Sequence, residues 1–115
     1  MLLATQFLQS EGFVCDDKSA FESFDILARR DRQALKIEVK GTTSELCDSI
    51  LMTRNEVELH RREKGTTGLL IVSRIQLDRS GAAPSASGGV VEALMEWDID
   101  QWTQESIAFQ VRRPV

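Results

Sequence analysis

The continuous apolar run GLLIVSRI, residues 68–75, constrains the fold more than any other stretch of this sequence. A run of this length bounded by turn residues is typical of a strand that is buried on both faces. It follows a stretch with strand alternation, residues 35–40, and a stretch with a helix start signal, residues 53–64. Strand, helix and buried strand in this order predict a βαβ unit with two parallel strands.

The helix of this unit is predicted from its first residues. Thr53 is a good N-cap and Glu56 falls at the N3 position, which together make a capping box. Met52 and Val57 stand at the positions of a hydrophobic staple, in which two apolar side chains pack across the helix start. We expect the helix to run to about Lys64, before a glycine.

Apolar and charged residues alternate in the first strand, LKIEVK, so Glu38 and Lys40 project on the same side of it. The preceding stretch SFDILARR, residues 23–30, alternates in the same way, and a short polar link joins the two as an antiparallel hairpin. In such a hairpin Asp25 can lie beside Glu38 and Lys40. The charged face is then either a site or simply exposed to water.

The other predicted elements complete an α/β domain with a mixed central sheet and few helices. Residues 3–8 have helical spacing before a glycine at position 12, and residues 13–15 form a short strand. Residues 78–89 are predicted as a loop without periodicity. Residues 91–97 favour a strand, with a helix as the alternative, residues 98–106 a short helical turn, and residues 107–111 a final strand.

Composition limits the classes of function. The 115 residues predict a single domain, and 18 acidic against 14 basic residues give a net charge of −4. Binding of nucleic acid by charge alone is therefore excluded, and any such contact must come from a local patch or a partner domain. No stretch approaches the roughly 20 apolar residues of a membrane span. The N-terminus lacks the features of a signal peptide, and the widely separated Cys15 and Cys47 fit a reducing compartment, so we expect an intracellular protein that is not secreted.

The charged face carries a chemically specific set of groups. Two carboxylates, Asp25 and Glu38, with the backbone carbonyl of Val39, make a hard oxygen site for Mg²⁺, with Mn²⁺ as a substitute. Such a metal polarises a phosphoryl oxygen and lowers the pKa of a bound water. Lys40 adds positive charge against a developing anion, or orients the nucleophile.

Asp25, then twelve residues, then Glu38-Val39-Lys40 resembles the D…ExK motif of the PD-(D/E)XK superfamily of restriction-endonuclease-like nucleases. Over roughly residues 1–75 the chain is most similar to one branch, the domain at the C-terminal end of the NO VEIN protein, which also occurs beside helicases and restriction ATPases. Four stretches carry that resemblance in order: Phe24-Asp25-Ile26, residues 37–42, residues 52–56 and residues 69–72.

The resemblance implies a restriction-endonuclease-like mixed sheet flanked by a few helices, spanning residues 1–115 as one PD-(D/E)XK-like domain or as a fragment of a larger protein. It implies a metal-dependent nuclease that acts on DNA, ahead of RNA, with Asp25, Glu38 and Lys40 as catalytic residues. Fused or associated helicase or ATPase modules, or a homodimer, would direct it to its substrate. Many relatives carry a carboxylate in the first helix that would fall near or before Met1, so one metal ion is expected here.

Residues around this set have both functional and structural interpretations. Thr42, Thr43, Arg54 and Asn55 are candidates for contact with nucleic acid, although the threonines also fit an ordinary turn. Glu56 is a candidate accessory residue, but the capping box explains it without chemistry. We expect His60 to be a half-exposed helix residue, and Trp97 with Trp102 to belong to the core or to an interface.

Two alternatives remain open from the sequence. The first is a catalytically silent domain of the same fold that binds nucleic acid or protein. The second is a structural or regulatory α/β protein in which the motif is coincidental. The position of Asp25 distinguishes the second alternative, because a coincidental motif would leave this residue far from Glu38 or on the opposite face of the sheet.

Overall fold

A mixed five-stranded sheet forms the centre of the fold in the computed structural model, which describes residues 1–115. Its strands are β1 (Val14–Asp17), β2 (Ile26–Arg30), β3 (Gln33–Gly41), β4 (Thr67–Ser73) and β7 (Val90–Met95), in the spatial order β1-β2-β3-β4-β7. Two helices, α1 (Leu2–Ser10) and α2 (Arg54–Arg62), and a 3₁₀ turn at Ile99–Gln101 complete the domain. A separate hairpin pairs β5 (Gln76–Asp78) with β6 (Ser85–Ser87).

The predicted βαβ unit is present. Strand β3 pairs parallel with β4, and α2 lies between them in the chain. All other pairings in the sheet are antiparallel, including the predicted hairpin of β2 and β3, in which Arg30 pairs with Gln33. Every residue of β4 except Ser73 is buried, as the apolar run predicts.

Helix α1 covers one face of the sheet. Its buried residues Ala4 and Leu8 pack on the inward residues of β2, β3 and β4, and the cluster includes Ile26, Ile37 and Leu70. Helix α1 ends where the sequence predicts, because Gly12 has a φ of 91° and the Phe13 N–H donates to the Leu8 carbonyl at 3.0 Å. This face therefore buries the apolar side of the alternating strand β3.

Helix α2 and the 3₁₀ turn cover the opposite face. Leu69 and Ile71 of β4 pack there with Trp97 and Ile99, and Val57 of α2 contacts the same cluster. The capping box is confirmed: the Thr53 hydroxyl accepts from the Glu56 N–H at 3.2 Å, and the Glu56 carboxylate accepts from the Thr53 N–H at 3.0 Å. The charged side of β3 consequently lies under α2 and not in open solvent.

Several sequence-based predictions require correction. Residues 107–111 form no strand, and their apolar side chains are exposed, because no neighbouring strand accepts them. Residues 78–89 contain strand β6, since three small residues, Ser85–Ser87, pair with β5 despite the absence of a long alternating pattern. The alternation of residues 23–30 would place Phe24 on the same side as Ile26, but Phe24, although buried, lies outside the cluster around Ile26. It precedes β2, and its ring centroid lies 5.5 Å from Lys36 Nζ, on the side of α2.

Candidate functional site

The structure brings the three residues of the predicted site together. Ile26 pairs with Ile37 in the hairpin, so Asp25, one residue earlier, lies across from Glu38 on the charged face. Two hydrogen bonds fix it there: the Asp25 N–H donates to the Ile37 carbonyl at 2.9 Å, and Asp25 Oδ2 accepts from the Val39 N–H at 2.8 Å. A coincidental motif would leave Asp25 far from Glu38 or on the opposite face of the sheet, and the structure shows neither arrangement.

Glu38 is a buried acid whose pKa is strongly raised. It is only 3% exposed, and its Oε2 atom is fully buried without a hydrogen-bond partner. Burial raises the pKa of Glu38 from 4.5 to about 8, the carboxylates of Asp25 and Glu56 add to this, and Lys40 opposes it. An unpaired buried carboxylate oxygen is costly, and such groups are concentrated at functional sites.

Lys40 is held between two carboxylates. Its Nζ lies 3.3 Å from Glu38 Oε1 and 3.2 Å from Glu56 Oε1. Burial works to lower the pKa of Lys40, but the charges of Glu38 and Glu56 outweigh it and the pKa is raised. The lysine therefore stays cationic over the neutral range, which suits a role in binding an anion.

Glu56 has contacts both at the helix start and on the sheet. It closes the capping box at the start of α2 and also contacts Lys40 on β3. The other candidates lie further out. Asn55 is exposed and lines a shallow groove beside Phe24, and Arg54 is exposed and pairs with Glu58 along the helix at 3.1 Å.

A cleft of about 450 Å³ opens beside Lys40. Gly41, Thr42 and the loop after β3 line it together with Lys40. Thr42 is partly engaged in the loop, because its hydroxyl accepts from the Ser44 N–H at 3.1 Å. Thr43 is exposed and does not line this cleft.

The basic residues of the hairpin tip and the helix are mostly neutralised by neighbouring acids. Arg61 contacts Asp100 at 3.1 Å, and Lys64 contacts both Asp98 and Asp100, which ties the 3₁₀ turn to the end of α2. Arg29 likewise pairs with Asp16 at 2.6 Å. These residues thus serve local structure and form no broad basic surface.

His60 is buried, and the prediction of a half-exposed residue is wrong. Its side chain has no exposed area, and its Nδ1 accepts from Trp97 Nε1 at 2.9 Å. Burial lowers the pKa of His60, in keeping with a neutral ring that accepts this bond. The sequence contained a signal for this, since His60 follows the inward-facing Val57 by three residues and shares its side of the helix. Trp97 and Trp102 pack edge to face with ring centroids 5.3 Å apart; Trp97 is buried in the core, and Trp102 is half-buried against the same cluster.

Two observations bear on metals and membranes. No group of three or more His, Cys, Asp and Glu side chains is arranged to hold a metal ion, so any cation at Asp25 and Glu38 would take further ligands from backbone, water or substrate. Neither helix is long and apolar enough to cross a membrane.

Fold and site together define a mixed α/β domain with a buried carboxylate–lysine cluster at the parallel pair of strands. The family described as Protein NO VEIN, C-terminal, matches residues 1–82 of the chain. The chain belongs to this family, and the match covers α1 through β5 with every residue of the cluster. A comparison with curated proteins gave no match, and neither did a comparison with solved structures.

Proposed function

We propose that this domain is a metal-dependent nuclease of the PD-(D/E)XK type, with a restriction-endonuclease-like fold, which hydrolyses phosphodiester bonds in DNA and, as a second choice, RNA. The observation that carries the proposal is that Asp25, Glu38 and Lys40 lie together on one face of the sheet, where Glu38 has a second, buried carboxylate oxygen without a hydrogen-bond partner in the protein. An exposed face with alternating charge would leave that oxygen hydrated.

The donor set fits a magnesium ion. Asp25 and Glu38 would hold it together with the Val39 carbonyl, and Mg²⁺ characteristically takes one or two carboxylates and keeps several waters. The unpartnered Oε2 atom of Glu38 is the acceptor that such a cation would satisfy. When bound, the metal supplies charge neutralisation at the phosphate and a water of lowered pKa.

The protein groups have separate roles in this proposal. The Val39 N–H holds Asp25 through one oxygen and thereby orients the carboxylate toward Glu38. Lys40 stabilises the negative charge that develops on the phosphate, at the mouth of the cleft that Thr42 lines. Thr43, Arg54 and Asn55, which are exposed, are proposed as outer contacts with the nucleic-acid backbone.

A catalytically silent binding domain is the second candidate. It is favoured by the contacts of Lys40 with Glu38 and Glu56, which already engage the ammonium group within the protein. The net charge of −4 and the paired basic residues point the same way. In that case the cluster would fix the fold and present a surface to a partner.

The experiment that separates the two candidates measures cleavage of plasmid DNA, single-stranded DNA and RNA with Mg²⁺, Mn²⁺ or EDTA. Wild type is compared with Asp25→Asn and Lys40→Ala, and circular dichroism verifies the fold of each. We expect metal-dependent cleavage by wild type and a loss of about a hundredfold or more in both variants. Lys36→Ala is the matched control, because Lys36 lies on the same strand face and pairs with Glu63 instead.

A folded wild-type protein that neither cleaves these substrates nor binds Mn²⁺ in calorimetry would refute the nuclease and favour the silent domain. Cleavage that survives in Asp25→Asn and Lys40→Ala would place the activity elsewhere.

A further inference from the structure

One carboxylate oxygen connects the start of helix α2 to the site. Glu56 Oε1 accepts from the Thr53 N–H at 3.0 Å and lies 3.2 Å from Lys40 Nζ. The capping box alone requires only the first of these contacts. The second crosses from the helix layer to the sheet and reaches the lysine proposed to contact the phosphate.

Glu56 is fixed before anything binds. Its N–H donates to the Thr53 hydroxyl while its carboxylate turns back to the Thr53 N–H, so both ends of the residue are engaged at the helix start. A lysine, by contrast, has a long flexible stem that loses considerable rotamer freedom when it is held in one place. The ordered Glu56 carboxylate can therefore hold the flexible Lys40 side chain in place.

Without Glu56, Lys40 would retain one carboxylate neighbour, Glu38, at 3.3 Å. Glu38, which is proposed to hold the metal, would then be the single acidic contact that fixes the lysine. Glu56 shares the ammonium group and keeps it at the edge of the site, where the cleft opens.

We propose that Glu56 is a positioning residue, which holds Lys40 between β3 and α2 by sharing its ammonium group with Glu38. This inference rests on the proposed nuclease function for its effect on catalysis, and on geometry alone for its effect on Lys40. It assigns to Glu56 a role in the site beyond the helix cap.

The chain provides both a conservative variant and a matched control. Glu56→Gln keeps a side-chain oxygen for the Thr53 N–H, since glutamine serves in capping boxes as well as glutamate, but it removes the negative charge from Lys40. Glu63→Gln removes the equivalent charge from Lys36, whose Nζ contacts Glu63 at 2.8 and 3.0 Å on the same strand face. Thermal unfolding verifies that both variants are folded.

We expect Glu56→Gln to lower kcat by about tenfold to a hundredfold with little change in KM, because a misplaced catalytic group costs rate more than binding. Glu63→Gln should cleave like wild type. In addition, ¹³C relaxation of the Lys40 side chain should show that it becomes mobile in Glu56→Gln and stays ordered in Glu63→Gln.

A double-mutant cycle on Mn²⁺ affinity separates positioning from direct metal binding. If Glu56 acts through Lys40, Glu56→Gln changes the affinity in wild type but has no effect in a Lys40→Ala background. An effect that persists without Lys40 would make Glu56 a metal ligand and overturn the inference. Wild-type cleavage by Glu56→Gln would overturn it as well.

The two failures can be told apart. If wild type shows neither cleavage nor metal binding, the proposed function fails, and Lys40 mobility still tests the contact. A Lys40 side chain that stays ordered in Glu56→Gln overturns the positioning role whether or not the protein is a nuclease.

Discussion

At the residue scale, the buried carboxylate of Glu38 lowers the stability of the folded protein. Its carboxylate is 3% exposed, lies near Asp25 and has one oxygen with no hydrogen-bond partner. Each of these features disfavours the charged form, as its pKa of about 8 reflects. A residue in the core of a fold optimised for stability alone would be apolar here, so the cost of burying this acid is what the proposed function explains.

The raised pKa predicts a pH-dependent loss of stability. Because the folded state holds the Glu38 proton more tightly than the unfolded state, stability is greatest below the unfolded pKa and falls as pH rises from 4.5 to about 8. Glu38→Gln removes this contribution. In EDTA we expect the variant to gain about 2 to 4 kcal/mol over wild type on going from about pH 5 to about pH 8. Urea unfolding at both pH values measures the difference.

Equal pH dependence of the two proteins would show that Glu38 titrates normally. Asp16→Asn is the control variant. Asp16 lies on the surface in an exposed salt bridge with Arg29, so this variant should keep the wild-type pH dependence of stability. Adding Mn²⁺ should stabilise wild type by mass action but leave Glu38→Gln unchanged.

At the element scale, helix α2 sets the geometry of the site through its first turn. The capping box fixes where the helix begins, and the first turn places Glu56 above Lys40. The other end is held by Arg61 and Lys64, which contact the acids of the 3₁₀ turn. The helix has only nine residues, too few for stability on its own, so these ends and its buried face keep it in place.

Removing the cap should weaken the whole domain by a measurable amount. Thr53→Ala deletes the hydroxyl that accepts from the Glu56 N–H, and an N-cap of this kind contributes about 1 kcal/mol. We expect a corresponding fall in the free energy of unfolding in urea. Thr43→Ala, at an exposed loop position, should have no effect, and a loss of equal size there would argue against a specific cap.

At the scale of the whole molecule, the segment after the matched family region completes the domain. Residues 83–115 lie beyond the match, yet they supply β7 at the sheet edge and Trp97 and Ile99 over Leu69 and Ile71. Trp97 also donates to His60, so this segment is connected to the inner side of α2. The family region alone would leave one edge of strand β4 unpaired and would lack the aromatic and aliphatic side chains that this segment packs on one of its faces.

Truncation tests which residues of the segment 83–115 contribute to the stability of the domain. A chain that ends after Glu105 retains the hydrogen bonds of Gln104 and loses only exposed residues, so its unfolding midpoint should equal that of wild type. Trp97→Ala should cost about 3 to 5 kcal/mol, as for other buried aromatic residues, and should leave His60 without its donor. A strong loss from the truncation would instead mean that residues 106–115 pack against the domain in solution.

The sequence by itself determined the βαβ unit, the capping box, the fully buried strand β4 and the shared face of Asp25, Glu38 and Lys40. These follow from short-range rules, because periodicity and helix caps act over a few residues and a hairpin fixes the register of its strands. The tertiary structure decided the rest. Burial of His60 against Trp97, the unpartnered oxygen of Glu38 and the contact of Glu56 with Lys40 all join residues of different elements. Whether residues 107–111 pair as a strand likewise depends on a neighbouring strand, and the sheet offers none. Each depends on how helix and sheet layers pack, which local patterns do not encode.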